Sequence, residues 1–283
     1  MTAKFVVVPQ WQGSASSRSM RLIDGAEAIR GDLPSGATTT VEIPLGAGDA
    51  VDTGVHRYST LAVVRERLSM VLANIDPADT PIVIGGDCGV ELAAVEHAAA
   101  RAAAAGERLG LVWFDANPDL HTPDSSPSGA FCGMVLRALL GEGAPGLVAE
   151  RPLAPDDVVL AGTRSEDDGE AEYLASSPIT LVRAEELDGL ADAVDALGCD
   201  RVYLHIDLDV LDPGEFAGLT DPQPFGVSLG DLTKAISVAV GSRRLAGAGI
   251  AMFAPATPAA ANPDLPAVLR ILSAVTAPVR ARA

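Results

Sequence analysis

The chain has 283 residues, of which 38 are Asp or Glu and 20 are Lys or Arg, so its formal net charge is −18. This acidity argues against nucleic acid as a partner, because phosphate binding needs clustered Lys and Arg, and against an anionic membrane surface. No apolar run reaches the ~20 residues that span a bilayer, and the apolar core at the N-terminus is too short for a signal peptide. We therefore expect a cytoplasmic protein.

Apolar residues make up 48% of the chain, enough for a large core. A chain of this length allows one large α/β domain or two small ones. No linker, repeat or low-complexity segment divides it, so we predict one domain over residues 1–283. The three cysteines are an odd number without a closely spaced pair, which suggests neither a disulfide framework nor a zinc ribbon.

Short apolar runs alternate with helical patterns along the chain. The predicted strands are Phe5–Val8, Thr38–Ile43, Pro81–Ile84, Leu109–Phe114, Val158–Ala161, Ile179–Val182, Arg201–Ile206 and Leu245–Met252. The predicted helices are Leu22–Ala28, Tyr58–Ile75, Val90–Ala105, Gly133–Leu140, Glu185–Leu197, Leu229–Val240 and Pro266–Val275. Continuous apolar strands that alternate with helices predict a parallel sheet covered on both faces. Eight strands are also compatible with a closed barrel, and both architectures place function at the C-terminal strand ends.

Three strand ends carry polar clusters, which read GGDC at 85–88, DANPD at 115–119 and HIDLDVLDP at 205–213. Residues two apart in an extended segment point the same way, so Asp207 and Asp209 share a face, as do Asp115 and Asn117. Carboxylates converging from two strand ends repel one another unless a cation lies between them, and hard oxygen ligands suit Mg, Mn or Ca. The alternative is that these acids cap helices or pair with Arg. We favour a metal site because the sheet can place both strands side by side.

These clusters resemble the signatures of the ureohydrolases, the family of arginase, agmatinase, formimidoylglutamase and guanidinobutyrase. The family's motifs are Gly-Gly-Asp-His, Asp-Ala-His-x-Asp and Ser-x-Asp-x-Asp-x-x-Asp-Pro. The stretch HTPDSSPSG at 121–129 resembles the family's substrate loop, and GTRSEDDGE at 162–170 resembles a second family loop. The resemblance implies a three-layer α/β/α fold with a mostly parallel eight-stranded sheet. It also implies a binuclear manganese centre that activates a bridging hydroxide against a guanidinium carbon, and assembly as trimers or hexamers.

Transferred residue by residue, the resemblance implies a set of metal ligands and catalytic groups. The family's metal-binding acids are all retained, as Asp115, Asp119, Asp207 and Asp209. Its two histidine ligands fall on Cys88 and Asn117, and its substrate-loop histidine, a proton shuttle, falls on Cys132. His121 stands beside the metal acids at a family position that touches substrate. It is a candidate displaced ligand or base, with a solvated loop histidine as the alternative.

Further positions of the resemblance concern the substrate. Ser128, Asp167 and Glu170 fall on positions that bind the amino-acid end of the family's substrate, and Thr220 lies near another. The DDGE acids are equally compatible with a solvated loop. Where the family has an acid that pairs with the guanidinium, this chain has Met252. A guanidinium needs a carboxylate partner, so an ordinary arginase or agmatinase substrate is disfavoured.

The replaced ligands change the expected metal chemistry. A carboxamide at Asn117 is a weak oxygen donor that suits Mg or Ca, whereas a thiolate at Cys88 favours zinc or iron over manganese. We therefore expect one or two Mn ions, with Mg, Zn or no metal as alternatives. Cys88 and Cys132 are equally compatible with inert buried thiols, and a disulfide between them is less favoured. His205 is expected to make a structural hydrogen bond. Nothing in the sequence indicates a function for His56 or His97.

The sequence thus predicts a divergent arginase-family metallohydrolase. It would cleave a C–N bond of a guanidino, amidino or related small nitrogen compound through a metal-activated water. One alternative is a catalytically reduced family member with one metal or none, acting as a binding or oligomeric protein. Another is a thiol-dependent amidohydrolase in which Cys132 or Cys88 attacks an amidine carbon. The expected partners are a small-molecule substrate and further copies of the chain, without nucleic acid or membrane.

Overall fold

The structure, a computed structural model, describes residues 2–280. These residues build one sheet of eight strands: β1 Ala3–Val8, β2 Thr38–Thr40, β3 Thr80–Gly85, β4 Leu109–Phe114, β5 Val158–Ala161, β6 Thr180–Val182, β7 Arg201–Asp207 and β8 Arg244–Ala251. Their order is β2-β1-β3-β8-β7-β4-β5-β6, and every neighbouring pair is parallel. The prediction of a parallel eight-stranded sheet is confirmed. The closed-barrel alternative is wrong, because β2 and β6 form open edges.

Within the described residues, the first seven α-helices connect successive strands and the eighth follows the last strand. They are α1 Arg21–Gly31, α2 Tyr58–Ala73, α3 Glu91–Ala104, α4 Val135–Leu139, α5 Asp168–Ser176, α6 Leu190–Ala196, α7 Leu229–Val240 and α8 Leu265–Arg280. Two predicted helices, those over 133–140 and 185–197, begin instead as 3₁₀ turns that continue into α4 and α6. Helix α5 was not predicted, and β2 ends at Thr40 rather than at Ile43. The three-layer architecture follows from helices on both faces of the sheet.

Side chains along each strand alternate between two hydrophobic clusters, because successive residues of a strand point to opposite faces. In β1, Val6 and Val8 pack with α2, α3 and α4, and α5 also packs on this face. Phe5 and Val7 pack on the other face with α1, α6, α7 and α8. The sheet is therefore buried on both sides, which explains why its strands are apolar throughout. Within residues 2–280, no helix has the length and apolar character needed to cross a membrane.

Strands β3, β8, β7 and β4 lie next to one another in the middle of the sheet. β4 pairs directly with β7, with Phe114 opposite Ile206. The loops that follow these two strands therefore start at the same level of the same sheet edge. This confirms that the two acidic strand ends are neighbours, and it defines where a site can form.

Candidate functional site

A cavity of about 650 Å³ lies at the C-terminal ends of the four central strands. Every residue that the sequence singled out for the site lines it: Cys88, Asp115, Asn117, Asp119, His121, Ser128, Cys132, Asp167, Glu170, Asp207, Asp209, Thr220 and Met252. Further lining comes from the segment 14–17 after β1, from Asp221 and Gly133, and from Pro127, Ser165 and Glu166 in the two loops that the resemblance singled out. The segment 14–17 and Asp221 carried no sequence signal, because an isolated Ser or acid in a loop is common without any function.

Three of the four aspartates at the ends of β4 and β7 are held by hydrogen bonds from backbone amides. The Asn117 amide donates to Oδ1 of Asp115 at 2.7 Å, and the Asp209 amide donates to Oδ1 of Asp207 at 2.8 Å. The Ala116 amide donates to Oδ1 of Asp209 at 3.1 Å, which joins the two strand ends. Such turns of Asp onto the following backbone fix the carboxylates in place. Ligand oxygens of Asp115, Asp207 and Asp209 consequently lie within 4.8 Å of one another.

These carboxylates are buried, with 1 to 7% of each residue exposed. Burial, followed by the charge of Asp115, raises the pKa of Asp207 to about 7. Burial and the neighbouring aspartates raise the pKa values of Asp119 and Asp209 well above their ordinary value. Oδ2 of Asp119 is buried without a hydrogen-bond partner. A cluster of buried acids that repel one another and keep an unpartnered oxygen has the donor chemistry of a divalent-cation site.

Arg164 lies beside the cluster but does not hydrogen-bond its carboxylates. Its guanidinium donates to the backbone carbonyl of Asp209 at 2.8 Å and to other carbonyl oxygens nearby. It therefore braces the loop after β7, and its charge acts on the aspartates without direct pairing.

The two positions at which the resemblance expected histidines both reach the cavity. The thiol of Cys88 donates to Oδ2 of Asp207 at 3.0 Å, and burial raises its pKa well above the ordinary value. Nδ2 of Asn117 donates to the carbonyl of Ser165 at 2.9 Å. Burial and Asp119 also raise the pKa of Cys132. Raised thiol pKa values oppose formation of a nucleophilic thiolate, so the geometry does not support the thiol-dependent alternative.

The three cysteines, Cys88, Cys132 and Cys199, are all free thiols. The alternative of a disulfide between Cys88 and Cys132 is therefore wrong for this structure.

His121 belongs to a second group of side chains at the cavity wall. Its Nε2 lies 3.0 Å from Oδ2 of Asp167 and 3.8 Å from Oε1 of Glu170, and Nδ1 lies 3.2 Å from the hydroxyl of Ser125. The ring is buried, so the alternative of a solvated loop histidine is wrong. Its partners are these acids rather than the aspartates of the strand ends, and ligand atoms of His121, Asp167 and Glu170 lie within 4.8 Å of one another.

The expected loop over 162–170 is partly helical, because Asp167 and Glu170 form a capping box at the start of α5. Oδ1 of Asp167 accepts from the Glu170 amide at 3.0 Å, and Oε1 of Glu170 accepts from the Leu120 amide at 3.1 Å. An acid followed three residues later by Glu is a known helix-start signal, so this helix could have been found from the sequence. The solvated-loop alternative for these acids is therefore wrong for Glu170, which is buried.

A buried chain of polar side chains lies beneath the aspartates. The Tyr203 hydroxyl donates to Oε2 of Glu91 at 2.7 Å, and Oε1 of Glu91 lies 3.3 Å from Nδ1 of His205. Nε2 of His205 lies 3.7 Å from Oδ2 of Asp115, which also accepts from the Trp113 indole at 3.0 Å. Burial alone would lower the pKa of His205, but the carboxyl groups of Asp115 and Glu91 raise it to about 9.

His205 was expected to make a structural hydrogen bond, and its ring nitrogens do face the carboxylates of Glu91 and Asp115. Both of its ring nitrogens are buried without a partner in hydrogen-bond geometry, and so is Oε1 of Glu91. Glu91 was missed entirely, because a single acid at the start of an Ala-rich helix resembles an ordinary helix N-terminus.

A family profile described as the arginase family matches residues 16–273. The chain belongs to the arginase family. Among curated relatives, arginase from Bacillus caldovelox is 30% identical over 227 residues, which cover 74% of this chain and 73% of that one. Arginase from Bacillus subtilis is 36% identical over 165 residues, and this match spans only 54% of either chain. The expectation of ureohydrolase membership is confirmed.

Solved structures of the arginase family share the whole fold. The arginase of Entamoeba histolytica, crystallised with L-ornithine, has a TM-score of 0.84 and 25% identity, covering 97% of this chain and 98% of that one. Formimidoylglutamase from Bacillus subtilis has a TM-score of 0.73 at 16% identity, so it supports the fold alone. The α/β fold of the arginase family is thereby confirmed.

Met252, at the position where the resemblance implies an acid, directly follows β8. Met252 adopts a left-handed backbone with φ of 66°, and its amide donates to the carbonyl of Gly86 at 2.8 Å. The side chain packs against the hydrophobic cluster on the α3 face while it lines the cavity. A thioether accepts no proton and carries no charge, so this wall offers nothing to a guanidinium.

Proposed function

We propose that this protein is a divergent arginase-family metallohydrolase that cleaves a C–N bond of a small nitrogen compound through a metal-activated water. The observation that carries the proposal is the convergence of four buried aspartates from two paired strands, one of which keeps an unpartnered oxygen. Buried carboxylates in this number are costly unless a cation compensates them.

Asp115, Asp207 and Asp209 would hold a divalent ion through oxygen atoms, and Asp119 adds a further carboxylate from the same loop. When bound, such an ion lowers the pKa of a water molecule and polarises the bond to be cleaved. The oxygen-rich donors suit manganese, the ion that the resemblance implies, or magnesium. One or two ions are compatible with this arrangement.

The chain's own side chains narrow the substrate class. A cavity of about 650 Å³ is the size of a small-molecule site. Met252 presents an apolar wall, and the carboxylates of Asp167 and Glu170 already contact His121. Beside Met252 a guanidinium or an amidinium, both cationic at neutral pH, would therefore find no carboxylate partner, so this wall fits an uncharged part of the substrate. We propose a small guanidino, amidino or related C–N compound other than arginine, with Ser128 and Thr220 as hydroxyl-bearing contacts.

A catalytically reduced member of the family is a second candidate, and one observation favours it. Both replaced ligand positions already have protein partners, since Cys88 donates to Asp207 and Asn117 donates to Ser165. A protein of this kind would bind a ligand or assemble without turnover.

The test is metal-dependent activity with matched variants. Metal content of the purified protein is measured by elemental analysis, and a panel of amidines and guanidines is assayed with Mn, Mg and Zn. Asp207→Ala should abolish turnover, whereas Asp192→Ala on the exposed side of α6 should leave it unchanged. Absence of any bound metal together with no metal-induced rise in melting temperature would reject the proposal. Stoichiometric metal without turnover would favour the reduced member.

We further propose that the chain works in the cytoplasm as a homo-oligomer, a trimer or hexamer, as the family resemblance implies. Light scattering of the purified protein measures this directly, and a monomer at micromolar concentration would contradict it.

A further inference from the structure

We propose that His205 is a metal ligand, and that with Cys88, Asp115 and Asp119 it forms a four-donor site that takes zinc. The inference deepens the metallohydrolase function and rests on it for the presence of a metal. It adds a ligand that the family motif does not contain, because the motif has Ser where this chain has His205.

The four donors already lie together. One sulfur, one ring nitrogen and two carboxylate oxygens of Cys88, His205, Asp115 and Asp119 all lie within 4.8 Å of one another, and all four residues are buried. They come from three of the four central strands or the loops that follow them. The ring nitrogens of His205 and Oδ2 of Asp119 have no hydrogen-bond partner. Unpartnered donors at this depth are otherwise rare, because leaving them unpaired costs free energy.

The surroundings of His205 are those of a metal-bound imidazole. A ligating histidine usually gives its other ring nitrogen to a carboxylate, which fixes the tautomer and the ring orientation. Here Nδ1 faces Oε1 of Glu91 at 3.3 Å, while Nε2 faces Asp115. Glu91 is itself held by the hydroxyl of Tyr203 at 2.7 Å. The ring also lies against Trp113, with centroids 3.7 Å apart.

Gly249 in β8 leaves the space in which the Glu91 carboxylate lies beside His205. A Cβ at Gly249 would collide with the Glu91 carboxylate. Any other residue at Gly249 would therefore displace the group that faces His205, and the small residue is explained by the space that Glu91 occupies.

The donor set favours zinc over the manganese implied by the resemblance. Thiolate, imidazole and carboxylate are the ligand types of zinc sites, whereas manganese prefers oxygen. Binding requires Cys88 to lose its proton to solvent and His205 to be neutral, so metal uptake releases protons. The neighbouring oxygen-only group of Asp115, Asp207 and Asp209 shares Asp115 and retains the character of a site for a hard cation.

The experiment uses full-length protein reconstituted with zinc, and with cobalt(II) as its spectroscopic probe. Cobalt bound by a thiolate gives a charge-transfer absorption that oxygen ligands do not. Cys88→Ser should remove this absorption, and His205→Gln should weaken zinc affinity at least tenfold. Glu91→Gln, which keeps the ring but not its partner's charge, should weaken it roughly 10- to 100-fold. Cys199→Ser and His97→Gln, both outside the cavity, are the matched controls.

His205→Gln and Cys88→Ser alter buried positions, so circular dichroism first establishes that each is folded. X-ray absorption of the zinc-loaded wild type serves as a test independent of any variant. It should detect one sulfur and at least one imidazole among the zinc ligands.

Three outcomes distinguish this inference from the metallohydrolase proposal on which it rests. Zinc with sulfur and imidazole ligands, lost in both ligand variants but not in the controls, supports it. Metal bound through oxygen alone, unaffected by Cys88→Ser and His205→Gln, overturns it while the metallohydrolase proposal stands. No metal bound to the wild type under any condition overturns both.

Discussion

Nε2 of His121 lies 3.0 Å from Oδ2 of Asp167, and this contact ties the loop after β4 to the N-terminus of α5. Removing the ring in His121→Ala should lower the free energy of unfolding by about 1 kcal/mol, because Asp167 is partly exposed and water compensates in part. Urea unfolding measures the change. His56→Ala, an exposed histidine, should stay within about 0.5 kcal/mol of wild type. Equal losses in both variants would show that the His121–Asp167 contact contributes nothing.

Glu170 also ties the loop after β4 to the N-terminus of α5. Its carboxylate accepts from the backbone amides of Leu120 and Asp167. In Glu170→Ala a buried amide loses its acceptor and the capping box is broken, so we expect a loss of about 2 kcal/mol. Glu172→Ala, on the exposed side of the same helix, is the matched control and should be nearly neutral. The prediction is refuted if thermal unfolding places the two variants within error of each other.

Removal of one carboxylate from the cluster should separate stability from metal binding. Asp207→Asn keeps the shape of the side chain but removes a buried charge and its repulsion with Asp115, the two causes that raise the pKa of Asp207 in the wild type. In the presence of a chelator, the variant should be more stable than wild type by roughly 1–3 kcal/mol. With Mn added, only the wild type should gain melting temperature, because Asp207 belongs to the oxygen-only group. A chelated variant less stable than wild type would mean that the repulsion is already relieved.

Gly249 leaves room for the Glu91 carboxylate beneath the aspartates. In Gly249→Ala the new methyl collides with the Glu91 carboxylate, and strand backbone cannot yield. We expect a loss of about 2 kcal/mol or more, since small-to-large changes in a packed interior cost about 1–3 kcal/mol. Gly31→Ala, where a Cβ meets no atom within 4 Å, is the control. Calorimetry of the two proteins at equal pH compares them, and a silent Gly249→Ala would indicate that Glu91 is free to move.

The imidazole of His97 on α3, away from the cavity, should make the free energy of unfolding fall in acid. Burial, and then Arg101, lowers its pKa from 6.5 to about 4, and its Nε2 has no hydrogen-bond partner. The unfolded chain takes up this proton near pH 6.5 and the folded chain only near pH 4. The neutral ring therefore supports the fold fully above pH 6.5, and this support is lost as the pH falls towards 4.

His97→Leu should remove that dependence. Because the ring is partly accessible to water, we expect the wild type to lose about 1–2 kcal/mol more than the variant between pH 7 and pH 4.5. Urea unfolding at both pH values measures the difference. Parallel pH profiles for the two proteins would contradict the prediction.

The sheet and the cavity lining could be inferred from the sequence because their signals are local. Val158–Ala161 is apolar without interruption, and the structure gives it the same bounds as β5. Asp115 and Asp207 follow such strands directly, and parallel strands end at one edge. The resemblance then identified positions such as Met252 that no periodicity would single out.

What the sequence did not predict depends on contacts between distant segments. Tyr203 and Glu91 are 112 residues apart and interact only after α3 has packed on β7. Nothing local in the Ala-rich α3 marks its first residue as a partner of a strand histidine. The start of α5 is different, because the Asp167–Glu170 spacing was readable and the acids were instead interpreted as a loop.

The direct pairing of β4 with β7 has a consequence for the order in which the molecule forms. Ala116 and Asp209, joined by a hydrogen bond, are 93 residues apart, and Cys88 and Asp207 are 119 apart. Contacts this distant form late in folding, since the entropy of closing the intervening chain is lost first. While the chain is being synthesised, Asp115 emerges from the ribosome long before its partners do. A metal held by these residues would therefore join a sheet that is already assembled.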